Sequence, residues 1–106
     1  MKMARTNKEI RDDILTRLEQ VIDPELGIDI VNLGLVYGVD LAKDGICTVT
    51  MTLTTMGCPL TNVLAEMVVE ALKPVPEIEQ TQVKFTFEPV WTIDRMSRYA
   101  RVALGI

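Results

Sequence analysis

The sequence predicts an α/β fold in two layers, an α+β domain of order αββαβα with helices packed on a three-stranded mixed sheet. Two observations carry this. Apolar residues recur at helical spacing over 10–22 and 60–72, and at a two-residue period in three further runs. A tight turn joins the first two of those runs and a helix joins the last two, so the sheet must contain both an antiparallel and a parallel pair.

The elements follow in chain order. Thr6 with Glu9 three residues on is a capping-box signature, and Ile10, Ile14, Leu18 and Val21, flanked by Leu15 and Ile22, make the stripe of a first helix. Pro24 disfavours helical geometry at Asp23, which places the end of that helix near Asp23. Leu35, Tyr37, Val39 and Leu41 alternate with Val36, Gly38, Asp40 and Ala42 in a first strand with one apolar face. Asp44-Gly45 predicts a type I′ hairpin turn. In the second strand Cys47, Val49, Met51 and Leu53 face one way, while Thr48, Thr50 and Thr52 form a solvated face. Cys58 takes the N-cap and Pro59 the first position of a second helix striped by Leu60, Val63, Leu64, Met67, Val68, Ala71 and Leu72. "KPVPEIE" breaks that helix. Val83, Phe85 and Phe87 alternate with Lys84, Thr86 and Glu88 in a third strand that Pro89 ends. Thr92, backed by Asp94, caps a last helix carrying Ile93, Met96, Ala100 and Leu104, which Gly105 terminates.

No repeat, low-complexity tract or linker divides the chain, so residues 1–106 are read as a single domain. Hydrophobic residues make up 48% and charged residues 25%, the balance of a packed globular domain and not of a disordered chain. The net charge of −4 argues against nucleic acid, whose phosphates would meet a repulsive surface. "MKMARTNKE" has no apolar run behind its cations, and no segment reaches the length of a membrane span. A cytoplasmic protein is expected. In that reducing compartment two cysteines do not form a disulfide framework.

The topology brings the start of strand one and the ends of strands two and three to the same edge of the sheet. Three connections meet there: "DPELGIDIVNLG", "TTMGCP" and "EPVWTID". They carry Asp23, Glu25, Thr54, Thr55, Cys58 and Trp91 towards one region. Cys47 shares its strand face with Val49, Met51 and Leu53 and reads as a small buried hydrophobe. Cys58 differs, because first-turn amides and the helix dipole would stabilise its thiolate as a nucleophile or ligand; the alternative is a helix start using a poor cap.

The chain has no histidine, so a Cys-His dyad cannot form, and it has no C-x-x-C dithiol. An enzyme is therefore not expected. A closed zinc or iron-sulfur site needs about four ligands, and one chain offers Cys58, aided by Asp23 or Glu25. A metal or cluster would have to be shared between the Cys58 residues of a homodimer, or completed by a partner. Asp23-Pro24-Glu25 is equally a helix stop and turn, and Trp91 reads first as a cap over the core, with a contact residue as the alternative. The absence of G-x-x-x-x-G-K-[ST] gives nucleotide binding no support.

Together, "IDPELGIDIVNLGLVY", "MTLTTMGCPL" and "FEPVWTIDRMSRYARVALG" resemble the family of small iron-sulfur cluster assembly factors that includes SufT, the PaaD proteins and the eukaryotic cytosolic iron-sulfur targeting subunit. The resemblance implies a compact α/β domain acting in iron-sulfur protein maturation, with Cys58 as the reactive cysteine of T-x-x-x-C-P and Asp23 and Glu25 as the acidic pair of D-P-E. The cysteine-bearing tail of PaaD proteins and the nucleotide motif of fused carriers are missing, which leaves a stand-alone SufT-like factor. Such a factor would bind or pass on iron or a labile cluster through Cys58, with client proteins or cluster carriers as partners. The alternative is an adaptor that docks them through the Asp23, Cys58 and Trp91 edge without holding metal.

Overall fold

A computed structural model describes residues 5–54 and 61–106. Helix α1 spans Asn7–Leu18, β1 Val36–Leu41, β2 Ile46–Met51, α2 Thr61–Leu72, β3 Gln80–Phe85 and α3 Arg98–Leu104, with a 3₁₀ turn over Ile93–Arg95. The expected order and the three-stranded mixed sheet are both present. The strands lie in the order β1-β2-β3, with β1 antiparallel and β3 parallel to β2.

The core face of the sheet is a set of rows across its strands. Leu41, Cys47 and Thr81 are aligned, as are Val39, Val49 and Val83, and then Val36, Met51 and Phe85. Ile14 and Leu18 of α1, Leu64, Val68 and Leu72 of α2, and Ala100 of α3 join the β2 residues in one buried cluster. α2 packs on both α1 and β3. Arg5 ties the start of the chain down by pairing with Glu77 and, at 2.9 Å, with Asp13.

Several local expectations give way to tertiary structure. The capping box is formed, with Thr6 Oγ1 accepting from the Glu9 amide and Glu9 reaching back. However, α1 ends at Leu18, short of Asp23, because Val21 to Ile30 fold into a small antiparallel ladder. In that ladder the Asp23 amide donates to Ile28 O and the Ile30 amide to Val21 O. Tyr37 leaves the apolar row predicted for β1: a bulge between Val36 and Gly38 puts Val36 opposite Met51. The 42–46 turn is not type I′, since Gly45 alone there has positive φ and its amide donates to Ala42 O. That pattern is a type I turn closed by a glycine bulge.

Thr48 and Thr50 are half-buried on the outer face, whereas Thr52 is fully buried. Val63 lies outside the buried stripe of α2, and β3 ends at Phe85, two residues before Phe87. The last helix is broken: Thr92 makes no capping bond, Met96 is extended, and Ser97 caps α3 by accepting from the Ala100 amide. Gly105 ends it as expected, with the Gly105 amide donating to Val102 O and the Ile106 amide to Arg101 O. The expected N-cap at Cys58, and Pro59 and Leu60 after it, lie outside the described residues.

Candidate functional site

The register that aligns Val36, Met51 and Phe85 sets the start of β1 and the ends of β2 and β3 at one edge. Hydrogen bonds extend the pairing beyond the strands: the Thr52 amide donates to Leu35 O at 2.8 Å and the Thr86 amide to Met51 O at 2.9 Å. Thr54 follows two residues later and is exposed. Thr55 and Cys58 lie outside the described residues.

Trp91 is brought to the first connection as the topology requires. Its Nε1 donates to Leu33 O at 2.8 Å, which holds the ring half-buried against the core. The packing reading of this tryptophan is therefore met, while its neighbour Val90 stays exposed. Tyr37, turned out of its strand row by the bulge, donates from its hydroxyl to Pro89 O at 2.8 Å. The Arg95 guanidinium sits 4.6 Å from the centre of its ring, a cation–π contact. Gly34, Val36, Tyr37, Pro89 and Arg95 line an open cavity of about 370 Å³ beside them.

Asp23 and Glu25 have different surroundings. Asp23 is buried, and its Oδ1 accepts from the amides of Glu25 (2.8 Å) and Leu26 (3.1 Å), the pattern of an Asx turn. Glu25 is exposed. Among the described residues no hydrogen bond or ion pair joins Asp23 to Trp91, and no three Asp, Glu, Cys or His side chains cluster as a metal set.

A part-buried polar network that sequence reasoning missed binds this edge together. Asp29, 7% exposed, accepts from the Asn32 amide at 2.9 Å and from Asn32 Nδ2 at 2.7 Å. Asn32 in turn receives the Ser97 hydroxyl on Oδ1 at 2.6 Å and the Ser97 amide on its carbonyl at 2.8 Å. The D-x-x-N spacing of a capped turn was the signal available for Asp29 and Asn32; nothing local points to Ser97. Gly34 belongs to the same assembly, with φ +74° and the Arg95 backbone in the space a Cβ would take.

Cys47 is fully buried, and its thiol is pushed up by desolvation and then by the charge of Asp40. A neutral, enclosed thiol is a poor ligand and nucleophile.

Comparisons with known proteins agree with this architecture. The family model described as "Iron-sulfur cluster assembly protein" matches residues 11–85. The chain is 55% identical to the Fe-S protein maturation auxiliary factor YitW of Bacillus subtilis over 97 residues, covering 92% of this chain and 95% of that protein. It is 57% identical to the Fe-S protein maturation auxiliary factor SufT of Staphylococcus aureus over 86 residues, covering 81% and 98%. The crystal structure of a DUF59 domain of unknown function from Bacillus anthracis superposes with a TM-score of 0.86 at 43% identity, covering 93% of this chain and 94% of that one.

Proposed function

Since the chain belongs to the iron-sulfur cluster assembly protein family, we propose that it is a non-enzymatic accessory factor in the maturation of iron-sulfur proteins. In this reading Cys58 binds iron or a labile cluster in passing, as cargo. The observation that carries the choice of residue is the sealing of Cys47, which leaves Cys58 as the one sulfur of the chain's two cysteines available for a ligand. One thiolate cannot complete a cluster site, so the remaining ligands come from a second copy or from the client or carrier that receives the cargo. Glu25, exposed in the acidic turn that Asp23 organises, is the carboxylate this reading assigns to assist.

Anaerobic reconstitution tests this reading. Cys58→Ala is expected to lose support of a client's cluster, while Cys47→Ala keeps it in proportion to its folded fraction. Equal support by wild type and Cys58→Ala would end the ligand role. Acid-labile sulfide and iron analysis, with the mass in solution, would separate a bridged dimer from a metal-free protein.

A second reading is favoured by Trp91 and by the cavity that Gly34, Val36, Tyr37, Pro89 and Arg95 line on the same connections: an adaptor edge that docks a client or carrier without holding metal. In a pull-down, Trp91→Ala then loses the client while Cys58→Ala keeps it, the reverse of the ligand reading.

A further inference from the structure

We propose that the free side of β1, with the cleft that separates it from α1, takes up an extended segment of a partner protein as a fourth strand. That segment runs antiparallel to β1, apolar towards the cleft and basic at the residue between. This goes beyond the cluster-handling reading and does not depend on Cys58.

β1 is an outermost strand of the sheet, and the pairing on its inner side fixes which of its backbone groups are left over. The Ala42 amide donates to Ile46 O at one end, and Leu35 O accepts from the Thr52 amide at the other. By antiparallel alternation Gly38 and Asp40 then exchange bonds with Thr50 and Thr48. Val39 and Leu41 therefore turn their amides and carbonyls away from β2, and among the described residues none of these groups has a hydrogen-bond partner. Such a side is usually blunted by lysine, proline or a covering element. Val36–Leu41 contains neither residue, and α1 packs on α2 and not on β1. A cavity of about 550 Å³ lies in the gap, with half-buried Ile10 and Leu15 on its helix side and Val39 and Leu41 on its strand side.

The free groups select the occupant. Amides and carbonyls spaced along a strand are complementary to another extended backbone, and apolar side chains at alternate positions of that backbone would reach Ile10 and Leu15. The residue between those positions lies opposite Asp40, which is exposed and makes no ion pair among the described residues, so lysine or arginine is favoured there. A second copy fits poorly. The register that pairs Val39 with Leu41 of the other copy, and so uses every free group on both chains, sets Asp40 directly against Asp40. Arg11 and Asp40 are the charged residues of the cavity and offset each other, leaving no field to draw nucleic acid or an anionic membrane.

Fluorescence anisotropy on the full chain tests the proposal with a labelled peptide of alternating threonine and valine, in which lysine replaces the threonine between two valines. N-methylation of those two valines removes the amides that would meet Val39 and Leu41, whereas N-methylation of the lysine and a neighbouring threonine alters only amides that point away. The first modified peptide is expected to bind at least about ten-fold more weakly than the second. Exchange of the peptide's lysine for glutamate should weaken binding about three-fold, and Asp40→Lys in the protein should reverse that preference. Asp40 is exposed, and an unchanged urea midpoint shows that the fold is intact. Equal binding of the two methylated peptides, no binding of the unmodified one, or a preference that Asp40→Lys leaves in place would overturn the proposal. So would a wild-type dimer that the unmodified peptide splits into monomers, because a second copy would then be the natural occupant.

Discussion

The two ends of the sheet are built differently. At the hairpin end the connections are short: Gly45 O accepts from the Glu79 and Gln80 amides, and residues 42–44 of the turn are open to water. At the opposite end two long segments, residues 19–37 and 86–97, are joined by side chains: Asn32, braced by Asp29, to Ser97, Trp91 to Leu33 and Tyr37 to Pro89. Polar groups withdrawn from water cost stability unless paired, so these part-buried bonds make the second end specific in shape. Rigidity there is what a surface that receives cargo or partners requires.

The largest expected contrast uses a glycine at each end. Gly34 and Gly45 both have positive φ, but a Cβ on Gly34 would overlap the Arg95 backbone, while one on Gly45 would overlap the Cγ and Cβ of the Glu79 side chain. Gly34→Ala is expected to cost ~3 kcal/mol or more, because strain adds to a backbone displacement. Gly45→Ala should cost less, about 2 kcal/mol, since the left-handed penalty adds to a shift of a side chain and not of backbone. Urea unfolding of the two variants measures both, and equal losses would mean that the loop edge is no more constrained than the hairpin.

A similar pair of aspartates comes next. Asp29→Ala leaves the Asn32 amide groups without their acceptor and is expected to cost about 2 kcal/mol. Asp44→Ala removes an exposed carboxylate that accepts from the Ile46 amide at 3.2 Å, and its effect should stay within ~0.5 kcal/mol. A smaller effect is expected of Trp91→Phe, which keeps the ring packing and loses the bond to Leu33, at about 1 kcal/mol. Hydrogen exchange of the 30–35 amides should rise in this variant, with those of β2 unchanged.

The contrast between the ends also explains what could be read from the chain. Strand alternation in Cys47, Val49 and Met51, and the stripe Leu64, Val68 and Leu72, are local patterns, and the core uses them as written. Edge convergence followed from strand direction, parallel across the unit of β2, α2 and β3 and antiparallel across the hairpin, which is why Trp91 could be placed near the first connection. Contacts between residues far apart in sequence were not legible. Ser97 reaches Asn32 across 65 positions, and that tertiary bond, not the propensity of Thr92, decides where α3 starts. Tyr37 followed the period-two rule in sequence but escapes it through a bulge, whose placement depends on the partner strand. Of the predicted site residues, Asp23 proves to be a turn-former and Trp91 a packed hydrogen-bond donor, while Glu25 and Thr54 are exposed.

The smallest effect at neutral pH concerns the sulfur at the hairpin end. Cys47 lies opposite Leu41 and Thr81, and burial raises its thiol pKa in the folded state, with Asp40 adding to the shift. A raised pKa means that the unfolded chain releases this proton first. Stability is therefore complete below the ordinary thiol value, near 8.5, and falls as pH climbs towards the folded value. Urea midpoints of wild type and Cys47→Val should thus run parallel from about pH 6 to 8 and converge or cross above about pH 9, as wild type alone loses stability. In the native protein Cys47 should resist alkylation at neutral pH and react once urea opens the core, since the thiolate that reacts cannot form in its enclosed site. A parallel pair of curves through alkaline pH would show that Cys47 is hydrated, and with it that the hairpin end is less tightly sealed than the buried rows of β2 imply.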